Sequence, residues 1–532
     1  MDLIRVWLTM SEPIVTVEQG KLRGSVVKSV LGTSYIAFKG IPFAAPPIGD
    51  LRFKDPQPPA SWTGIKDTSE VVVPCCTQLD EMPPFNPIGA EDCLYLNVYT
   101  NSTTITRLKP VMFWVHGGAF VVGCSSFEHK RPDYLLAKDV VVVTAHYRLG
   151  AFGFLNLGHN AAPGNQGLKD LVAALKWVNE NIANFGGDPK NVTVFGASAG
   201  GALTQCLMLS PSTKGLIHKA IMHSGTAICP WSMNQSRPER CFKLASILGK
   251  DSTDPVEVVE FLRTIPAGIC SKCITNVILY VLQETAGFDL PFGINCDAMA
   301  DNPVMPMPPN ELKGADIPVI NGYTSHEFLM FLKGNLQTLN IYNQSLPIHA
   351  RTLARMRLGE AGSEKFVDEV QKYYFNGKPV CEETVPALVQ MITDCYFGIP
   401  AAVMLENRVK WASAPAYFFR YSYVVIFVCT NIMFFIVLGA SHVDDIAYLF
   451  YLTACKTKGD SDAPAIGSKD RITIERLTTM WTNFAKTGNP TACKNKFVDV
   501  TWKPMTTSES CYLEIGDELE LLPIPSNILS SK

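Results

Sequence analysis

The chain has 532 residues and a formal net charge of −3, and 47% of its residues are hydrophobic and 18% charged. This composition is that of an ordinary globular protein, and the near-neutral charge argues against a nucleic-acid partner, which requires a clustered basic surface. The 16 cysteines are scattered. Their one C-x-x-C spacing, Cys270 to Cys273, has no second half nearby, so no structural zinc site is expected.

The amino-terminal ten residues form a short apolar stretch that Asp2 and Arg5 interrupt. A secretory signal needs about 7 to 15 uninterrupted apolar residues followed by a cleavage site of small residues. We therefore expect an extension without a cleaved signal, a cytoplasmic protein, and cysteines that are mostly free thiols.

Residues 14 to 60 are expected to form short strands and turns, and further strand-like runs extend to residue 145. From residue 167 onwards, helical patterns alternate with strand-like ones. The run at residues 140–145 is apolar on both faces, which is typical of a strand inside a parallel sheet. Residues 167–182 place six apolar side chains on one helical stripe. The alternation predicts an α/β fold with a mostly parallel, twisted central sheet flanked by helices. We expect one domain over residues 1–532, with a core from about 14 to 522 and with helical insertions. One insertion is expected from Ser236 to about Leu312, where the pattern is mainly helical and loop-rich.

A glycine-rich turn follows the strand-like start of residues 114–120 (WVHGGAF). Alone, this sequence predicts only a turn. Upstream of a nucleophile, the same turn can supply the backbone N–H groups of an oxyanion hole, here from Gly118 and Ala119.

The most informative stretch is residues 192–201 (VTVFGASAGG), in which a β-branched apolar run ends in Gly-x-Ser-x-Gly and a helical pattern follows. Strand, sharp turn and helix form the context in which this motif marks a nucleophile elbow. Gly196 and Gly200 are expected because a Cβ at either position would clash where strand and helix approach. Ser198 would be the nucleophile, and the N–H of Ala199 a third oxyanion donor.

A serine hydroxyl needs a base within hydrogen-bond reach, and in elbow hydrolases the chain order is serine, acid, histidine. His442 fits best among the nine histidines, because it lies far downstream on a loop after an apolar run. Glu327 follows a strand-like segment and a glycine, although spacing alone favours a surface glutamate there. The other histidines near the elbow, including His116 and His223, are interpreted as structural.

A membrane span is not expected in the late apolar segment from Tyr423 to Leu438. This segment is shorter than the roughly 20 residues that a spanning helix needs. We expect a buried strand from Tyr417 to Phe427 and an apolar connection after it. A helix over residues 474–486 then completes the domain.

Taken together, these motifs resemble the type-B carboxylesterases, the carboxylesterase and cholinesterase family of α/β-hydrolases, from about Val15 to Leu522. Within that family the chain is most similar to insect intracellular carboxylesterases, as residues 209–216 and 442–445 indicate. The motifs that carry the resemblance are residues 38–44 (FKGIPFA), 91–97 (EDCLYLN), 164–170 (GNQGLKD), 185–189 (FGGDP), 191–201 and 488–490 (GNP).

The resemblance implies the nucleophile, acid and base at Ser198, Glu327 and His442, which strengthens the weak case for the glutamate. It also implies the oxyanion donors Gly118, Ala119 and Ala199, and a disulfide between Cys76 and Cys93, which a cytosolic chain need not form.

The implied function is a serine esterase without a metal or other cofactor, acting on small to medium apolar carboxyl esters such as xenobiotic, odorant or insecticide esters. Organophosphates are expected to react covalently with Ser198. The sequence leaves the physiological ester and the oligomeric state open. The alternative is a weakly active or inactive relative that binds or sequesters its ligand. Its best support is Ala197, where the family usually has glutamate or glutamine, together with Ala119 in place of a glycine.

Overall fold

An eleven-stranded sheet organises the protein, for which the computed structural model describes residues 12–80, 85–233, 238–285, 289–332, 339–358, 367–424, 439–453 and 463–524. The strands of this sheet are, in spatial order, β20 (Leu519–Pro523), β19 (Cys511–Ile515), β17 (Ala416–Tyr421), β16 (Val319–Thr324), β15 (Lys219–His223), β14 (Gly187–Ala197), β9 (Lys109–Val115), β11 (Val141–Ala145), β8 (Tyr95–Thr100), β4 (Ser34–Pro42) and β3 (Ser25–Lys28).

The strands from β11 to β19 in this order all run parallel, and antiparallel strands complete both edges of the sheet. The predicted mostly parallel sheet is therefore confirmed. Short strands outside it are β1 (Ile14–Val17), β2 (Gly20–Arg23), β5 (Ile65–Asp67), β6 (Gln78–Leu79), β7 (Pro87–Ile88), β10 (Lys130–Arg131), β12 (Asn156–His159), β13 (Ala162–Pro163) and β18 (Tyr451–Leu452).

Helices cover both faces of the sheet and form the predicted insertion after β15. In chain order they are α1 (Asp133–Leu136), α2 (Gly150–Phe154), α3 (Gln166–Asn181), α4 (Ala199–Leu209), α5 (Pro238–Ile247), α6 (Pro255–Thr264), α7 (Ala267–Thr285), α8 (Leu339–Leu358), α9 (Val367–Phe375), α10 (Val385–Thr393), α11 (Ile399–Arg408) and α12 (Lys469–Thr487).

The core has two layers because successive side chains of a strand point to opposite faces. On β9, Phe113 and Val115 join the cluster that contains the buried residues of α3 and α4. Met112 and Trp114, which alternate with them, join the cluster that contains those of α12. Each central strand is therefore apolar on both faces, as the sequence predicts for residues 140–145.

The strand expected at Tyr417 to Phe427 is shorter in the structure, where β17 ends at Tyr421. Most of the apolar segment that follows, residues 425–438, lies outside the described residues. Elsewhere in the described ranges, one helical run, Glu382–Arg408, is long and apolar enough to cross a membrane, and 89% of its apolar window is buried inside the fold.

Among the cysteines that the structure describes, four are paired in disulfides. The structure joins Cys76 to Cys93, the pair that the resemblance implies, and also joins Cys75 to Cys124, which the sequence does not predict. Disulfides are typical of oxidising compartments and rare in the cytosol. The cytoplasmic location stays a prediction, and non-reducing peptide mapping of the native protein would test whether the two disulfides form.

Candidate active site

The site lies at the edge of the sheet where β14, β15, β16 and β17 end. These four strands are parallel neighbours, so their carboxyl ends meet at the same edge, which is where open α/β sheets bind ligands. Ser198 directly follows β14, His223 ends β15, and Glu327 lies three residues after β16. His442 belongs to the segment after β17. The topology thus gathers the three predicted catalytic side chains from distant parts of the sequence.

Ser198 occupies a strained turn between β14 and α4. Its backbone has φ 58° and ψ −127°, a conformation that L-residues rarely adopt and that marks functional positions. A Cβ on Gly196 would lie 2.4 Å from the Gly200 carbonyl oxygen, and one on Gly200 would lie 2.2 Å from that of Val115. The predicted need for glycine at both positions is therefore confirmed. Ser198 is half-buried, whereas the residues on both sides of it are buried. The turn therefore presents the serine side chain to the site.

The backbone of Ser198 is held from the neighbouring strand. Its N–H donates to the carbonyl oxygen of His223 at 2.8 Å. The next turn packs just as closely, since a Cβ on Gly225 would lie 2.1 Å from the Ser198 carbonyl oxygen. Such contacts are what a strained backbone needs to persist, because the surroundings must over-determine it.

Glu327 and His442 form a buried pair. The glutamate is fully buried and the histidine is 4% exposed. Glu327 Oε2 is hydrogen-bonded to His442 Nδ1, while its Oε1 accepts the Thr324 N–H at 2.7 Å. Because Nδ1 is engaged, Nε2 is the ring nitrogen that can accept a proton. A carboxylate in this position fixes the tautomer of the imidazole and stabilises its protonated form.

The loops that carry this pair are bound to each other. The N–H of His326 donates to the Ala440 carbonyl oxygen at 2.9 Å, and the Ala440 N–H donates to Ser325 Oγ at 3.2 Å. These hydrogen bonds fix the loop of the base against the loop of the acid. The distance between Glu327 and His442 therefore does not depend on their mutual contact alone.

The glycine-rich turn after β9 lies against Ser198. A Cβ on Gly117 would lie 3.0 Å from Ser198 Cβ, so no side chain fits between the turn and the serine. Gly118 and Ala119 both have positive φ, at 118° and 52°. In the part of the chain that the structure describes, their N–H groups and that of Ala199, the first residue of α4, have no hydrogen-bond partner. Unpaired donors beside a serine hydroxyl have the chemistry of an oxyanion hole.

Aromatic rings connect the oxyanion turn to the base. The Phe120 ring centroid lies 6.4 Å from that of Trp231, which lies 5.9 Å from that of Phe397. Phe397 in turn lies 5.0 Å from the His442 ring, and Phe331 lies 5.7 Å from it on another segment. The rings of Phe120, Trp231 and Phe397 are buried, whereas that of Phe331 is 44% exposed.

The other histidines of this half of the sheet are unsuited to act as the base. Burial lowers the pKa of His116 to about 3 and that of His146 to about 4, so both stay neutral at physiological pH. His116 Nδ1 lies 2.8 Å from the Gly117 carbonyl oxygen, and its ring stacks on Tyr147. These rings pack behind the oxyanion turn, as the structural interpretation expects.

Sequence reasoning missed a second histidine–carboxylate pair. His223 Nδ1 lies 2.5 Å from Asp445 Oδ2, and both side chains are fully buried. No motif pointed to this pair, because the two residues are 222 positions apart. The adjacent Asp444 has a different role, since its Oδ2 accepts the Ser441 N–H at 2.7 Å. Burial raises the pKa of Asp444 to about 7, and the neighbouring Asp445 and Glu327 carboxylates add to the shift.

Sequence comparisons link nearly the whole chain to known esterases. Residues 11–526 match the model of the carboxylesterase family. Juvenile hormone esterase of Tribolium castaneum is 33% identical over 98% of this chain and 90% of its own length. Esterase FE4 of Myzus persicae is 33% identical over 90% of this chain and 85% of its own length.

Structure comparison gives the same result. A crystal structure of juvenile hormone esterase from Manduca sexta, with OTFP covalently attached, superposes with a TM-score of 0.84. The two chains are 28% identical, and the match covers 97% of this chain and 98% of the other. The α/β-hydrolase fold therefore extends across the described residues.

Proposed function

Since the chain belongs to the carboxylesterase family and is a carboxylic ester hydrolase, we propose that it cleaves small to medium apolar carboxyl esters through an acyl-enzyme on Ser198. The observation that carries the proposal is the convergence of three elements at one sheet edge. These are the strained, half-buried serine, the buried His442–Glu327 pair, and a turn with unpaired N–H groups.

In the first half of the reaction, Ser198 Oγ attacks the ester carbonyl carbon while His442 Nε2 accepts the hydroxyl proton. The carbonyl oxygen becomes an oxyanion, which the N–H groups of Gly118, Ala119 and Ala199 stabilise. The C–O bond to the alcohol then breaks, and His442 returns the proton to the leaving alcohol. Glu327 stays ionised and stabilises the imidazolium that forms between these steps.

In the second half, water replaces the alcohol. His442 removes a proton from the water as it attacks the acyl carbon, and the same N–H groups hold the second oxyanion. Collapse of this intermediate releases the carboxylic acid and returns the proton to Ser198. No metal enters this scheme, and all proton transfers use one imidazole nitrogen.

The aromatic walls support the choice of substrate. Phe397 and the exposed Phe331 flank His442, while Trp231 and the fully buried Phe120 continue the aromatic cluster towards the oxyanion turn. The free energy of an apolar group falls when it moves from water to an apolar environment such as this one. Xenobiotic, odorant and insecticide esters have this chemistry, and the names of the relatives add juvenile hormone to the candidates.

The test is hydrolysis of a 4-nitrophenyl ester series from acetate to octanoate, with juvenile hormone as a further substrate. We expect the parent chain to hydrolyse the series and Ser198→Ala to lose at least about 10³-fold in kcat. Ser212→Ala is the matched control, because it is exposed just beyond the other end of α4. A parent chain as inert as Ser198→Ala would contradict the proposal and favour a binding protein.

A further inference from the structure

The buried pair of His223 and Asp445 lies directly behind the nucleophile. His223 offers Ser198 its backbone, because its carbonyl oxygen accepts the Ser198 N–H at 2.8 Å. The next residue is anchored as well, since the Ser224 N–H donates to the Gly322 carbonyl oxygen at 2.8 Å. The strained conformation of Ser198 thus depends on where β15 ends.

The side chain of His223 is held at both ring nitrogens. Trp481 Nε1 donates to His223 Nε2 at 2.9 Å. An indole N–H can only donate, so Nε2 accepts and the ring proton is on Nδ1. Nδ1 therefore donates to Asp445 Oδ2 at 2.5 Å, and the imidazole is neutral with one fixed tautomer.

Asp445 connects this contact to the base. It lies three residues after His442, within the short helix Asp444–Tyr448 that follows the base. Asp445 is fully buried. In the described part of the chain, the N–H at His223 Nδ1 is the one donor from which its carboxylate accepts a hydrogen bond. A buried carboxylate without that partner would be strongly unfavourable, so its position follows that of His223.

From these contacts we propose that His223 is a positioning residue, which fixes the nucleophile through its backbone and the base through Asp445. Ala197, the residue before the nucleophile, has no polar group that could do this. His223 does not itself exchange protons with the substrate, since both nitrogens are engaged and the ring is fully buried. The inference rests on the proposed serine mechanism.

The test separates positioning from substrate binding. His223→Phe keeps a ring of similar size and removes both hydrogen bonds. We expect kcat/KM for 4-nitrophenyl butyrate to fall about 30- to 100-fold, because a displacement of Ser198 or His442 by about 1 Å has an effect of this size. The inhibition constant of the matching amide, N-(4-nitrophenyl)butanamide, should stay within about twofold. His223→Asn keeps an N–H near the position of Nδ1, so it should recover most of the loss.

His218→Phe is the control, because His218 is half-buried and directly precedes β15, at the end of the strand that is remote from Ser198. It should keep kcat/KM within about twofold of the parent value. If His223→Phe does not fold, Trp481→Phe decides, because it removes the donor to Nε2 and keeps the contact between His223 and Asp445. We expect that variant to lose about 3- to 10-fold in kcat/KM with unchanged amide binding.

A His223→Phe variant with parental kcat/KM would overturn the inference, as would amide binding weakened as much as catalysis. A Trp481→Phe variant with parental kcat/KM would overturn it where His223→Phe fails to fold. If the parent chain is active and one of these results is found, the inference fails while the serine mechanism stands. An inert parent chain would overturn the proposed mechanism and this inference together.

Discussion

Two buried histidine–carboxylate pairs lie side by side at the edge of the sheet, and they differ in what the second ring nitrogen meets. In both, the Nδ1 of the histidine contacts a fully buried carboxylate, Glu327 for His442 and Asp445 for His223. The Nε2 of His223 is occupied by the Trp481 N–H. That of His442 is left to accept a proton. A buried pair alone therefore does not make a catalytic base, and the nitrogen on the far side of the ring decides.

The largest effect should come from removing the charge of the catalytic pair. Glu327→Gln keeps the size of the side chain but loses the carboxylate that stabilises the imidazolium, so we expect kcat to fall about 10³-fold. Steady-state hydrolysis of 4-nitrophenyl butyrate measures it. A loss below about tenfold would show that Glu327 does not act on His442 during turnover.

A second prediction concerns Asp444, the residue between the two pairs. Its folded-state pKa of about 7 lies above the ordinary value of 3.8, so the native state binds this proton more tightly than the unfolded state. Asp444 therefore reduces the free energy of unfolding as pH rises from about 4 to 7, by up to about 4 kcal/mol. Asp444→Asn removes this dependence.

Denaturant unfolding at pH 5 and pH 8 measures the Asp444 effect. Relative to the parent, Asp444→Asn should gain stability between these two values, because only the parent has a carboxyl group at position 444 that ionises in this range. An equal difference at both pH values would contradict the assignment. Asp316→Asn is the control, since Asp316 is exposed and hydrogen bonds lower its pKa. Its contribution to the free energy of unfolding is therefore lost only below its ordinary pKa, and it should be the same at pH 5 and pH 8.

The third prediction tests the turn that carries Ser198. In Gly200→Ala the new Cβ would lie 2.2 Å from the Val115 carbonyl oxygen, in a region without room to relax. We expect a loss of about 3 kcal/mol in the free energy of unfolding, with loss of esterase activity. Gly268→Ala in α7 is the matched control, because its Cβ would meet only Pro87 at 3.5 Å. Equal unfolding midpoints for the two variants would contradict the packing argument.

The smallest effect should come from the same chemical change in the second pair. Asp445→Asn keeps an oxygen that can accept from His223 Nδ1, and it loses only the charge. We expect kcat to fall about tenfold, against about 10³-fold for Glu327→Gln. Parallel kinetics on the two variants measure the ratio. Losses of equal size would remove the distinction between a catalytic and a positioning pair.

The elbow turn and the sheet could be predicted because their signals are local. Five consecutive residues, Gly-x-Ser-x-Gly, mark the elbow, and buried parallel strands must be apolar on both faces. The oxyanion turn was predictable for the same reason, since residues 114–120 contain both the strand and the turn. Local sequence thus determines the parts of the site that are built from adjacent residues.

The remaining features depend on contacts between distant segments, which one sequence does not display. Spacing gave only a weak case for Glu327, and the family resemblance was needed to select it. His223 was interpreted as structural, and its contacts with Asp445 and Trp481 join residues more than 200 positions apart. The Cys75–Cys124 disulfide likewise forms only because the fold brings two loops together.

The most direct test of the account is covalent labelling with an organophosphate. Diethyl 4-nitrophenyl phosphate should transfer one diethylphosphoryl group to Ser198 Oγ and release 4-nitrophenol, since His442 activates that hydroxyl. Intact-mass and peptide mass spectrometry should place the group on Ser198 in the parent chain and find none on Ser198→Ala. Labelling of another residue, or an unmodified parent chain, would contradict the assignment of the nucleophile.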